Sequence, residues 1–234
     1  MNIMLTGPID LIKKSVKIFF LKKNFFYFLK IYTVFFVTAL ISFVIGRQFG
    51  SSQNPQEMYK NWFTSGNLPV ISVVAVWFIL AFLVNLWAQV ASYEAVKRSV
   101  SGGLLDFKDT YRTAWKYLAK FFVANFLVGL IVVVGFILLI VPGIIFGVWY
   151  SFTLWEVVEK NQTALNALKE SKRIVKGKFW KVLGRSFAFA LFGMLVQLIF
   201  AIIPFGYGSL LSPFVGGLIL MPFYLLFKEL EAQS

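Results

Sequence analysis

The 234-residue chain has no cysteine and no histidine. Without thiols there is no disulfide, no cysteine-ligated zinc, no iron–sulfur cluster and no thiol nucleophile. Without imidazole the commonest metal ligand, the axial histidine of haem proteins and every histidine-based acid–base scheme are excluded as well. Acidic residues number only ten, and no tight cluster of them falls at membrane depth. The sequence therefore points to no metal, no cofactor and no catalytic residue. Charged residues of both signs make up 14% of the chain, against 59% hydrophobic residues that include 28 Phe and 7 Trp. A soluble domain would have too little charge to cover its surface. The chain belongs in lipid.

What charge there is falls on one side. If six apolar stretches cross the membrane in alternation, 21 of the 23 Lys and Arg residues and nine of the ten acids lie on one face, leaving only Arg47, Lys60 and Glu57 on the other. A net charge of +13 raises the question of nucleic acid, but the positive-inside rule accounts for so one-sided a distribution, and no nucleic-acid partner is expected. The expected location is the cytoplasmic (inner) membrane of a prokaryote, multi-pass, with both termini cytoplasmic. Membrane lipids, anionic ones among them, are the expected partners, and a protein partner stays open. Residues 1–23 lack the order of a cleavable signal and read as mature protein.

A bilayer core takes about 20 helical residues. Residues 25–45 form the first span, with Lys30 near its inner end, and 68–93 form the second; the polar segment 46–67 is the one sizeable outer loop. No charge occurs from Phe121 to Trp155, a run that would measure about 52 Å as one helix. It must be a hairpin, and Pro142-Gly143 is the natural break, giving spans at 121–141 and 144–158. The uncharged run 186–227 needs a reversal too, at Pro204-Phe205-Gly206-Tyr207-Gly208, which gives spans at 186–203 and 210–227. Pro213 and Pro222 predict kinks in the last of these.

Each odd-numbered span follows a basic amphipathic stretch. The apolar stripes are Ile12, Val16 and Phe19; then Phe107, Tyr111, Ala114 and Leu118; then Ala164, Leu168, Ser171 and Val175. A hydroxyl residue, Ser15, Thr113 or Ser171, precedes the aromatic residues that open each span. The expected fold is all-α, a single membrane domain over 1–234 with six transmembrane helices as three hairpins. Each hairpin is preceded by an interfacial amphipathic helix, with repeats at 9–93, 106–158 and 163–227.

The runs Val141-Pro142-Gly143-Ile144, Glu156-Val157-Val158-Glu159, Ala167-Leu168-Lys169-Glu170-Ser171 and Val175-Lys176-Gly177-Lys178-Phe179-Trp180-Lys181-Val182-Leu183 resemble the membrane domain associated with some bacterial glycerophosphodiester phosphodiesterases. They are also similar to the related YciC-like inner-membrane proteins. The resemblance is specific over 141–183 and topological elsewhere. It implies a six-helix prokaryotic membrane protein. The phosphodiesterase barrel is a separate domain in that family, and this chain has no room for one, so the resemblance transfers no catalytic residue.

Polar residues inside the membrane are the first functional candidates: Asn85 and Gln89 in the second span, Asn125 in the third, Gln197 in the fifth. They either hydrogen-bond between helices, at about 1 kcal/mol each, or line a pathway. Glu94 and Glu156 end even-numbered spans at equivalent positions. Each either pairs with a base of the following amphipathic stretch or serves a proton- or cation-coupled path, since burial raises a carboxyl pKa. Arg173, Lys176, Lys178, Lys181 and Arg185, with Phe179 and Trp180, suit anionic lipid headgroups at about 1 kcal/mol per basic residue, although the positive-inside rule alone also places charges there. Gly129, Gly135, Gly193, Gly216 and Gly217 predict close helix contacts. Glu156 with Glu159 is the one acid pair open to a lipid enzyme, and the adjacent Lys160 points instead to charge balance. The function expected is that of a non-catalytic membrane protein in envelope or lipid homeostasis, or a membrane partner of another protein; a small transporter, flippase or channel is the alternative.

Overall fold

A computed structural model describes residues 5–49, 68–203 and 207–234. Most of the expected outer loop, and residues 204–206 of the last reversal, lie outside the described residues. Every regular element described is helical: α1 (Pro8–Phe19), α2 (Lys22–Phe49), α3 (Leu68–Ser101), α4 (Phe107–Leu138), α5 (Ile140–Trp149), α6 (Thr153–Lys160), α7 (Ala164–Val175), α8 (Phe179–Ala201), α9 (Tyr207–Leu211), a 3₁₀ turn (Ser212–Val215) and α10 (Gly216–Glu231). Six segments are long and apolar enough to cross a membrane: Lys22–Ile45, Ser72–Ser101, Phe107–Leu138, Ile140–Lys160, Phe179–Ala201 and Ser212–Glu231. The chain is a polytopic membrane protein. Half of the last segment is buried, against 17–22% of those in α2, α3, α4 and α8, so α10 is the central helix and the others turn broad apolar faces outward.

The amphipathic stretches do not all become separate helices. α1 and α7 do, but the stretch beginning at Phe107 runs unbroken into the third span as the 32-residue α4. No glycine or proline interrupts it before Gly129, and Thr110, Tyr111, Ala114, Phe121 and Ala124 bury one continuous face across the expected boundary. The face of α1 is also rotated from the expected stripe: Leu11, Ser15 and Phe19 are buried, while Ile12 and Val16 are half-buried.

The second hairpin turns at Leu139, which is extended (φ −165°, ψ 154°), and not at Pro142-Gly143. Pro142 occupies the first turn of α5, where its missing N–H has no intrahelical partner to lose. Gly143 has another role: a Cβ there would meet the Phe136 ring at 2.5–2.7 Å, and a Cβ on Gly135 would meet the Gly143 Cα at 3.0 Å. These two glycines let the arms of the hairpin touch.

The fourth span is not one helix. It breaks after Trp149, and Ser171 of α7 repairs the break: its hydroxyl donates to the Trp149 carbonyl at 2.8 Å and accepts the Phe152 N–H at 3.2 Å. The other two hydroxyls of the expected series do different work. Ser15 bonds the Leu11 carbonyl within its own helix, and Thr113 accepts from Arg98.

Pro213 lies in the 3₁₀ turn ahead of α10, whereas Pro222 sits inside α10 without ending it. α10 can lie against α2 because a Cβ at Gly216 or Gly217 would meet the rings of Tyr32 or Phe28 at 2.8 and 2.6 Å. Gly193 packs on Ile219, but Gly129 has open space around it and makes no close contact, contrary to the sequence reading.

Candidate functional site

At the basic ends of the helices, acids and bases form one unbranched chain. Asp109 of α4 holds Arg98 at 2.7 Å, and Arg98 reaches back one turn to Glu94 at 2.8 Å. Lys97 lies 3.8 Å from both Glu94 and Glu159 of α6. From Glu159 the chain passes to Lys228 of α10 at 3.0 Å, to Glu231 at 2.7 Å, to Lys160 at 3.1 Å, and ends on Glu156 at 3.0 Å. Five acids alternate with four bases and tie together α3, α4, α6 and α10. Beneath them Trp155 packs between Tyr93 and Tyr224, at centroid distances of 4.3 and 4.8 Å, and Tyr224 donates to Glu159. Lys97 also caps α6 by donating to the Val158 carbonyl at 3.1 Å, and Lys120 donates to the carbonyl of Asn161, the left-handed residue (φ 54°) that ends α6. Cations are favoured at such a helix end.

This arrangement modifies the sequence reading of Glu94 and Glu156. Both are buried, but neither pairs directly with a base of the next amphipathic stretch; each takes a lysine or arginine on its own helix. Nor does Glu94 end its helix, since α3 runs on to Ser101. Arg98 carries the lock to the following stretch, through Asp109 and Thr113.

A cavity of about 590 Å³ opens between α2, α3, α4 and α10. Asn85, Gln89 and Ser92 descend one wall at one-turn spacing, Asn125 stands on a second, and Tyr32 closes a third beside Gly216. Asn85 donates to the Ala81 carbonyl at 2.7 Å, and its Oδ1 lies 3.3 Å from the Thr38 hydroxyl. Ser92 gives its proton to the Ala88 carbonyl. The Tyr32 hydroxyl is buried beside Ser92 but makes no well-directed hydrogen bond among the described residues; Gln89 is half-buried and Asn125 exposed on the cavity wall. Phe82, Phe122 and Phe126 are exposed at the lip. Three of the polar residues singled out from sequence thus meet in one place; Gln197 does not join them and is exposed on α8.

The basic cluster at the α7–α8 corner divides by environment. Arg185 is fully engaged: it donates to the carbonyls of Leu5, Thr6 and Lys181 at 2.7–3.0 Å. Arg173 pairs with Glu170 at 2.7 Å, which holds the Glu170 carboxyl below its ordinary range and raises the guanidinium. Burial, and then the charge of Lys181, push the Lys178 ammonium down. Lys172 lies 4.3 Å over the Trp149 ring. Lys169, Lys176 and Lys181 are exposed, Trp180 is 78% exposed beside them, and Phe179 packs inward on the core.

No family model matches the chain, and no curated protein or solved structure does. Its chemistry has to be read from these three features alone.

Proposed function

We propose that the protein is a non-catalytic component of a prokaryotic cytoplasmic membrane that binds lipid on its cytoplasmic side, in lipid or envelope homeostasis. One observation carries this reading. Of the 21 basic and nine acidic residues on the basic face, four bases and five acids are withdrawn into the ion chain, leaving 17 bases against four acids. A helical bundle that pairs these acids among its own bases and leaves its rim this cationic is suited to anionic headgroups, each rim cation contributing about 1 kcal/mol near such a surface. Trp115 and Trp180, 64% and 78% exposed on the same face, fit the headgroup level where indole rings collect.

The experiment is native mass spectrometry of the detergent-purified chain with phosphatidylglycerol or phosphatidylethanolamine added. Selective retention of the anionic lipid, reduced when Lys169, Lys176 and Lys181 are changed to Gln, is the expected result. Equal retention of both lipids by both proteins overturns the reading. The convergence of Asn85, Gln89 and Asn125 on one cavity favours a second reading, a lipid flippase, which predicts headgroup flux in liposomes.

A further inference from the structure

We infer that the cavity between α2, α3, α4 and α10 is a binding site for a single uncharged glycerolipid of the diacylglycerol class, its glycerol–ester region seated among Tyr32, Gln89 and Asn125. This rests on the reading of the protein as a lipid binder and specifies a second, chemically different lipid.

The first argument is depth. Gln89 is five residues and Asn85 nine residues beyond Glu94 along α3, or about 7 and 13 Å at the helical rise. Asn125 lies four residues beyond Phe121 on α4, about 6 Å. These polar groups therefore occupy the half of the roughly 30 Å hydrocarbon core nearest the basic face. That is where the ester carbonyls of a lipid drawn slightly inward from that leaflet would come to rest. The volume lies in the usual range of small-molecule pockets, about 300–1,000 Å³, and the open side lets acyl chains run out past Phe82, Phe122 and Phe126.

The second argument is unmet hydrogen bonding. A buried hydroxyl is rarely left without a well-formed bond, yet Tyr32 is 3% exposed, lines the cavity and has beside it only the Ser92 hydroxyl, whose proton goes to the Ala88 carbonyl, with no well-directed bond between the two. With the Gln89 and Asn125 amides the cavity presents three donor groups and two amide acceptors. Diacylglycerol carries the complement: ester carbonyls that accept and one hydroxyl that donates.

The third argument is charge. No charged side chain lines the cavity. On its surrounding helices the nearest cations are already committed: Arg98 and Lys97 to the ion chain, Lys228 likewise, and Lys120 to Asn161. Lys30 of α2 is two residues from Tyr32, on a different, exposed face. The cavity lining itself offers a phosphate no cation. The phosphate-binding cations sit instead at the α7–α8 corner, so one face of the protein separates lipids by headgroup charge.

The test is native mass spectrometry of the full chain titrated with dioleoylglycerol or phosphatidylglycerol, comparing wild type with Tyr32→Phe, Gln89→Leu/Asn125→Leu and the Lys169/Lys176/Lys181→Gln variant. Apart from the poorly aligned approach of Tyr32 to Ser92, the cavity substitutions touch no hydrogen bond of the described residues, so folding should be spared, and monodisperse elution checks this. Dioleoylglycerol should bind wild type one to one. Tyr32→Phe should weaken that binding about fivefold and the double variant more, as expected for losing neutral hydrogen bonds. The triple lysine variant should leave dioleoylglycerol unchanged while losing phosphatidylglycerol. Dioleoylglycerol binding untouched by either cavity variant overturns the inference, as does phosphatidylglycerol lost on the cavity substitutions. Lysine-dependent phosphatidylglycerol binding with no dioleoylglycerol binding sinks the cavity site alone; binding of neither lipid sinks the lipid-binding reading as well.

Discussion

Replacing Lys160 with Met tests the ion chain where it is most deeply buried. Glu156 is fully buried, with Lys160, at 3.0 Å, its one base among the described residues, whereas Glu231, the other partner of Lys160, keeps Lys228 at 2.7 Å. The substitution therefore strands one carboxylate and not the other. Stripping the partner from a buried ion costs about 3–5 kcal/mol, while removing both charges together is far cheaper. Lys160 is 29% exposed, and water screening at that side argues for the lower end, about 3 kcal/mol. In a chain of this length 1 kcal/mol shifts the melting temperature by about 2–4 °C, so Lys160→Met should lower it by roughly 6–12 °C. Glu156→Gln with Lys160→Met should recover most of the loss, ending about 2–4 °C below wild type. Tryptophan fluorescence during thermal unfolding in one detergent reads all three proteins. A double variant no more stable than Lys160→Met would refute the argument, because the damage would then come from lost lysine packing and not from a stranded charge.

Three further outcomes follow from contacts elsewhere. Gly217→Ala drives a methyl into the buried Phe28 ring at 2.6 Å and should destabilise by about 1–3 kcal/mol, whereas Gly129→Ala, with nothing within 4 Å, should be neutral or slightly stabilising; the pair is compared by melting temperature. Ser171→Ala leaves the Phe152 N–H and the Trp149 carbonyl without their bonds and should cost about 1–3 kcal/mol, with faster amide exchange confined to residues 149–152. The Glu170 carboxyl titrates below its ordinary 4.5 because Arg173 bonds its charged form, so the pair's contribution is complete above that value and is lost as pH falls through the lowered one. Both side chains are partly exposed, so Glu170→Gln should remove no more than about 0.5 kcal/mol of that acid-side slope, as read from melting temperature between pH 5 and 3.

The spans were legible because a charge-free run is a direct measure of membrane residence, and the residues from Phe121 to Trp155 can be placed in few other ways. Their internal breaks were less so. Pro142 looks like a turn and sits within the first turn of a helix, and the real turn at Leu139 has no sequence signature because its backbone is simply extended. The break at Trp149 depends on a hydroxyl 22 residues away in sequence. For the ion chain, half of the signal was local: Glu94 with Lys97 and Arg98, Glu156 with Lys160, and Lys228 with Glu231 all stand three or four residues apart on one helix. The links that join them, from Lys97 through Glu159 to Lys228, from Lys160 to Glu231 and from Arg98 to Asp109, exist only once α3, α4, α6 and α10 are packed. Asn85, Gln89 and Asn125 were visible as polar residues out of place, but Tyr32 was not, since an aromatic residue at that depth reads as core.

α1 precedes every span in the chain, yet it packs mainly on α10, the last of them. Glu229 accepts the Thr6 N–H at 3.1 Å, and Arg185 grips the carbonyls of Leu5 and Thr6. The main seat of α1 is therefore built by elements far downstream of it, α8 and α10, and is complete only when α10 is in place. Before that its charged face suits it to the bilayer surface, so the docking of α1 reports that α10 is seated.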